Sequence, residues 1–262
     1  MTSCPLTTEL PARRAVPACW PRIAACLVAV ATMTACQPRI DPEAERAAQA
    51  QAREQAAEAM AAEFDEAVAA GNWSLARAHG DILNAEYPDS AAAERIAPQY
   101  EEAKARALEQ RENQRLAALW TYQAQPFKDG RQLSASIHAR EPVDTDGSGA
   151  RPVQLIFRDN PEWGRSSYLV LQAGDFDCYG GCKVAMRVDD GEPRRVDASR
   201  PRTDEAIAMF IEDEMMLWRT AKEAKTIAIE FPVKAGPANA GGTRTAVFEV
   251  GGLAPENLPE WN

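Results

Sequence analysis

The hydrophobic pattern changes period near Trp120, and that change divides the chain into two differently built halves. A period of about 3.6 residues buries one stripe of a helix, whereas a period of two buries one face of a sheet. After Trp120 the apolar residues alternate: Leu133, Ala135 and Ile137, then Val153, Leu155 and Phe157. Val184, Met186 and Val188 form another set, followed by Ile227, Ile229 and Phe231, and by Ala246, Phe248 and Val250. Tyr168 to Leu171 is a continuous apolar run that suits a central strand, and Asp190-Gly191 is a hairpin turn signal. One helix interrupts the strands, from about Glu212 to Ala224. Met215, Trp218 and Ala221 face one way, and Glu212-Asp213-Glu214 makes a favourable acidic first turn. The pattern predicts an α+β chain. A helical stalk or hairpin of two to three helices precedes an antiparallel β-sandwich-like or curled sheet with one helix across an end or face.

Before Trp120, Glu43 to Ala70 is built from Ala, Glu, Gln and Arg without Pro or Gly, all strong helix formers apart from a few residues. Asp41 can cap this helix and Pro42 can occupy its first turn. Its first half offers only alanines to a partner. Its second half carries Met60, Phe64, Ala67 and Val68 at helical spacing. Gly71-Asn72 breaks it. A second helix runs from Trp73 to about Glu86, with Trp73, Ala76, Leu83 and Tyr87 on or near one side. Pro88-Asp89-Ser90 ends that helix, and a third runs from about Ala91 to Ala118 with Ile96, Tyr100, Ala103 and Ala107 inward. The stretch Phe64, Ala67, Gly71-Asn72-Trp73, Ala76, Leu83, Tyr87-Pro88 and Ser90 resembles one unit of a tetratricopeptide repeat. The match occurs once, whereas a solenoid needs about three repeats to bury a continuous core. The concave peptide-binding surface of that family is therefore not implied, and a plain hairpin or three-helix bundle remains the alternative.

The N-terminus reads as an address. Arg13, Arg14 and Arg22 precede an apolar run from Ile23 to Met33, too short for a spanning helix of about 20 residues. Met33-Thr34-Ala35-Cys36 then places small residues before a cysteine, the pattern of an export signal. The segment resembles bacterial lipoprotein signals. That resemblance implies that residues 1–35 are removed and that Cys36 is lipidated as the mature N-terminus. Gln37 in place of Asp implies the outer membrane, by the sorting rule of enteric lipoproteins. The layout expected is a signal over 1–35, a tether over 36–42, a helical region over 43–118, a β-rich domain over 119–253 and a tail over 254–262. The helix of about 28 residues would reach on the order of 40 Å.

With Cys4, Cys19, Cys26 and Cys36 in or at the signal, only Cys178 and Cys182 remain as thiols of the body. An exported pair reads as a disulfide. Zinc needs four ligands, and only His79 and His138 accompany these sulfurs. Residues four apart in a strand lie about 13 Å from each other, while a disulfide holds its Cα atoms roughly 4.4–6.8 Å apart. The chain must turn sharply, and Gly180-Gly181 permits it. Leu169 to Asp177 and Lys183 to Val188 would then be the arms of one hairpin. A redox switch is the alternative, although thiol-exchange catalysts favour Cys-x-x-Cys at a helix N-terminus.

Asp144-Thr145-Asp146-Gly147-Ser148-Gly149 looks like the opening of an EF-hand calcium loop, with Asp144, Asp146 and Ser148 at donor positions. Leu155 stands where a bidentate Glu is needed and Arg151 adds positive charge, so an exposed turn explains the same residues. His138 falls on the solvent phase of its strand, and His79 lies beside Ala76 and Leu83. Neither has a Ser or Cys nucleophile in a recognisable frame. No nucleophile elbow, phosphate loop or zinc helix is present. Trp120, Trp163, Trp218 and Trp261 could line a sugar groove, or simply pack.

The formal net charge is −10 at pH 7 over 262 residues, and the signal removes three arginines against one glutamate. Such a surface repels nucleic acid. In the β-rich half, Leu155, the Tyr168 to Leu171 run and Phe176-Asp177-Cys178 through Asp190-Gly191 resemble the C-terminal module of uncharacterised proteobacterial envelope proteins. Some of these accompany type VI secretion systems. The expected function is a non-catalytic binding or assembly accessory of the envelope. It would be anchored to the outer membrane by lipid, with its body in the periplasm, an envelope protein as partner and no cofactor. A cell-wall hydrolase or carbohydrate-binding protein is the alternative, and calcium-dependent adhesion a third.

Overall fold

Asp41 caps the first helix as its position suggests: its Oδ1 accepts from the Glu43 amide at 3.0 Å, and helix α1 runs Pro42–Ala69. A computed structural model of the chain describes residues 41–128, 130–202 and 207–261. Cys36 and the signal lie outside the described residues. Asn72 Oδ1 accepts from Leu75 N to cap α2, Trp73–Glu86. Ser90 Oγ accepts from Ala93 N to cap α3, Ala91–Ala117. Each cap satisfies an amide that has no partner within its own helix. Pro98 sits inside α3, where it removes one amide donor; the carbonyl it leaves belongs to exposed Glu94, which water can reach.

The three helices share a small core of Phe64, Leu83 and Ile96 between alanines 57, 61, 76, 93 and 103. Met60, Val68, Trp73, Tyr87 and Tyr100 form its partly buried rim. Small side chains let helix axes approach, and polar contacts tie the helices to one another. Arg95 bridges Glu58 at 3.1 Å and Asp65 at 2.8 Å on α1, and Arg53 donates to the Glu86 carbonyl at 2.7 Å. Gly80 is the tightest contact, because a Cβ there would lie 2.3 Å from Tyr100 Cδ2. The ring cannot swing away freely, since its hydroxyl hydrogen-bonds to Asp81 and Lys104 stands 4.6 Å over its face. Alanine is ordinarily worth about 1 kcal/mol over glycine in a helix. Here Gly80→Ala is expected to destabilise instead, by about 1–3 kcal/mol, as overpacking does. Urea denaturation followed by helical ellipticity measures it, and a gain in stability would contradict the packing.

The strands are β1 Trp120–Phe127, β2 Gly130–His138, β3 Val153–Asn160, β4 Gly164–Leu171, β5 Cys182–Val188, β6 Arg194–Ser199, β7 Ala208–Ile211, β8 Ile227–Val233 and β9 Gly242–Phe248. Helix α4, Glu214–Glu223, separates β7 from β8, and Asp213 caps it by accepting from Met216 N. The capping carboxylate therefore starts this helix two residues later than Glu212. Among the described residues the nine strands form one antiparallel sheet in the order β1-β2-β3-β4-β7-β6-β5-β8-β9. The fold class is α+β, with the helices first and the sheet after them.

Although β1 and β9 stand at opposite ends of that order, two hydrogen bonds tie the ends of the curled sheet together. Arg140 N, just beyond β2, donates to Val247 O at 2.7 Å, and Trp120 Nε1 donates to Val250 O at 3.3 Å. Inward residues of every strand consequently join a single core, with α4 supplying Leu217, Trp218 and Ala221. The expected tail is part of this core. Two short turns, Pro255–Asn257 and Pro259–Trp261, deliver Leu258 and Trp261, both fully buried. From Ala48 onward the chain is one compact unit, and Arg115 of α3 pairs with Glu249 at 2.8 Å.

The hairpin expected around the cysteines does not form. β4 pairs with β3 and β7, whereas β5 pairs with β6 and β8. The segment between them is a crossover loop rather than a turn. Phe176 bridges to Val233 and Tyr179 to Arg200, so its apolar residues alternate against β8 and the β6 end, not against β5. Alternation reports that a face is buried but not which strand lies beside it. The Asp190-Gly191 turn does join two paired strands, β5 and β6.

Candidate binding face

Alternation that sends Leu133, Ala135, Val153, Leu155, Phe157 and Leu169 into the core sends their neighbours outward. Register aligns those neighbours. Thr121, Ser136, Ile156, Tyr168 and Phe210 form one row across β1, β2, β3, β4 and β7. Gln123, Ser134, Arg158 and Ser166 form the next, and His138, Gln154 and Val170 a third. None of these positions carries a carboxylate, in a chain with 39 acidic residues. Carboxylates return on the other half of the outer surface, at Asp197 of β6 and Glu230 of β8.

Aromatic rings lie on and beside these rows in contact with one guanidinium, and the turn that carries Trp163 also carries Glu162, paired with Lys128. Arg158 Cζ lies 5.5 Å from the Trp163 ring and 5.2 Å from the Tyr168 ring, with its Nε donating to Ser166 Oγ at 3.2 Å. Phe127 packs edge-on to Trp163 at 5.4 Å, and Phe210 lies 5.0 Å from Tyr168. Trp163 is nevertheless 62 % exposed. Its turn is rigid, because buried Asn160 accepts from the amides of Glu162 and Trp163 and donates to Gln132. Burial raises the Tyr168 pKa and Arg158 pulls it the other way. The phenol is therefore a neutral donor at physiological pH.

Of the residues singled out in the sequence, Trp163 and His138 lie at this face, and the others fall elsewhere. Cys178 and Cys182 are disulfide-bonded with Cα atoms 5.1 Å apart. Gly180 and Gly181, at φ 77° and 102°, make the left-handed turn that this span requires. The loop is pinned by Asp175, whose Oδ1 accepts from Arg200 Nε at 2.9 Å. Its Oδ2 accepts from Tyr179 Oη at 2.8 Å and Lys234 Nζ at 3.1 Å. Burial alone would raise the Asp175 pKa, but these donors outweigh it and leave the carboxyl below its ordinary value.

Asp144 Oδ1 accepts from the Gly147 amide at 2.7 Å, and Asp146 Oδ1 from the Ser148 amide at 2.9 Å. Ser148 also holds the Asp146 pKa below its usual value. These oxygens thus brace their own turn, and Leu155 is sealed in the core. Among the described residues no group of three or more His, Cys, Asp or Glu is placed to hold a metal ion. His138 is exposed at the end of β2. His79 contacts Met60 Sδ at 3.4 Å and Glu63 at 3.2 Å. Trp120, Trp218 and Trp261 are buried, leaving Trp163 as the exposed member of the four. A groove at the α1–α2 turn sets Trp73 beside Arg106, Glu109 and Gln110, a single carboxylate where glycoside hydrolysis generally uses two.

No protein-family model matches the chain, and no curated protein matches it. Among solved structures, invasion associated protein B from Bartonella henselae is similar over 55 % of this chain and 91 % of its own. The identity is 15 % and the TM-score 0.36, too slight a likeness to carry a function across.

Proposed function

We propose that the protein is a lipid-anchored accessory of the bacterial outer membrane. Acylated at Cys36 with its body in the periplasm, it binds a component of the envelope through the outward face of β1–β4 and performs no chemistry of its own. The observation that carries the binding role is the acid-free, aromatic face of an otherwise acidic chain. A solvated surface needs no exposed Trp in a braced turn, and aromatic residues with arginine mark binding surfaces while acidic residues are depleted there. The lipid role rests on the Met33-Thr34-Ala35-Cys36 pattern. No described helix is long and apolar enough to cross a membrane.

One pair of variants tests both parts. Cys36→Ser should lose its acyl groups, as mass spectrometry reads, and the purified lipid-free chain should still sediment with added envelopes. Ser134 lies opposite Arg158 in the register, so Ser134→Glu on that background sets a carboxylate against the guanidinium and should abolish sedimentation. An unprocessed leader in the wild type contradicts the anchor. Failure of the lipid-free chain to sediment contradicts the binding role.

A further inference from the structure

Resting on that reading, we infer that the ligand of the β1–β4 face is a linear, uncharged, N-acetylated glycan such as the sugar backbone of the cell wall. Charge narrows the choice first. The three outward rows carry one fixed charge, Arg158, and no carboxylate. A phosphate-rich headgroup would call for several cations, and a basic protein surface for acids. A near-neutral face is matched by a near-neutral ligand.

Hydrogen-bonding chemistry narrows it further. Gln123 and Gln125 are exposed, and Ser134, Gln154 and Ser166 half-buried. Amides and hydroxyls both donate and accept, which suits a ligand whose hydroxyl and acetamido groups do the same. Trp163 and Tyr168 provide flat apolar bodies with a polar tip, able to cover the C–H face of a sugar ring while its hydroxyls reach the neighbouring amides. Arg158, in contact with both rings, adds a planar fork of donors already fixed in place. Five adjacent antiparallel strands supply a broad surface for a chain molecule rather than a closed pocket.

The test uses the full-length lipoprotein in detergent micelles. A hexamer of N-acetylglucosamine is titrated by calorimetry, and protein-free wall sacculi are used for sedimentation. Saturable binding to both is expected. Trp163→Ala should weaken it at least tenfold, and because that residue is 62 % exposed the variant should keep its melting temperature. Arg158→Gln should weaken it similarly, while Arg187→Gln, outward on β5, should bind as the wild type does. Binding unaffected by Trp163→Ala, or no binding to either glycan, overturns the inference. If glycans fail while Ser134→Glu still abolishes sedimentation with envelopes, the glycan falls and the binding role stands. If both fail, both fall.

Discussion

Phe157→Ala is expected to destabilise the sheet by about 4 kcal/mol or more, within the range for deleting a buried aromatic side chain. Phe157 is fully buried on β3. Its ring lies 6.2 Å from Trp120 of β1, 5.1 Å from Trp218 of α4 and 5.5 Å from Trp261 of the last turn. Aromatic pairs of this kind add about 0.5–1.5 kcal/mol each beyond the area they bury. The sheet, its helix and its C-terminal segment all meet at this ring, so no single neighbour can collapse into the vacancy. Urea titration should show a lower midpoint, and near-ultraviolet dichroism should lose its tryptophan bands. A shift below about 1 kcal/mol would mean that these elements do not share a core.

Asp175→Asn should cost about 2–3 kcal/mol at neutral pH. Removing one partner of a buried pair usually costs about 3–5 kcal/mol, and the 24 % exposure of Asp175 reduces that. The amide leaves Arg200, 5 % exposed, beside a neutral group, and it offers one acceptor where Arg200, Tyr179 and Lys234 used two. The pH dependence follows from the folded carboxyl titrating below its ordinary value. Its contribution is fully present above the unfolded pKa of about 3.9 and is lost as pH falls through the lower folded pKa. The gap between wild type and variant should therefore hold from neutrality to about pH 5 and close in stronger acid. A gap that widened on acidification would reverse the sign and refute the network.

The helical half was legible because caps and period agree. Asp41, Asn72 and Ser90 each precede a run with helical spacing, and the observed ends fall within a residue of those expected. Longer strands were legible through Val153, Leu155 and Phe157 or Ile227, Ile229 and Phe231. β6 and β7 were not: Val196 and Ala198 are the apolar pair of a charged segment, and β7 has four residues. Nor could alternation name partners, which is why the crossover at Cys178 resembled a hairpin. Trp261 looked terminal because nothing in its own segment reports Phe157, 104 positions earlier in the numbering. The proposed binding face left a signal that a search for catalytic motifs passes over. From Trp120 to His138 the only carboxylate is Asp129, and register is what turns that scarcity into a surface.

The central claim, that the outward face of β1–β4 is the contact surface, is tested most directly by site-specific photocrosslinking in intact cells. A photoreactive residue at Gln123 should capture envelope material, and the same residue at Arg187 on the opposite half should capture none. Equal capture from both positions, or capture from Arg187 alone, would contradict the account.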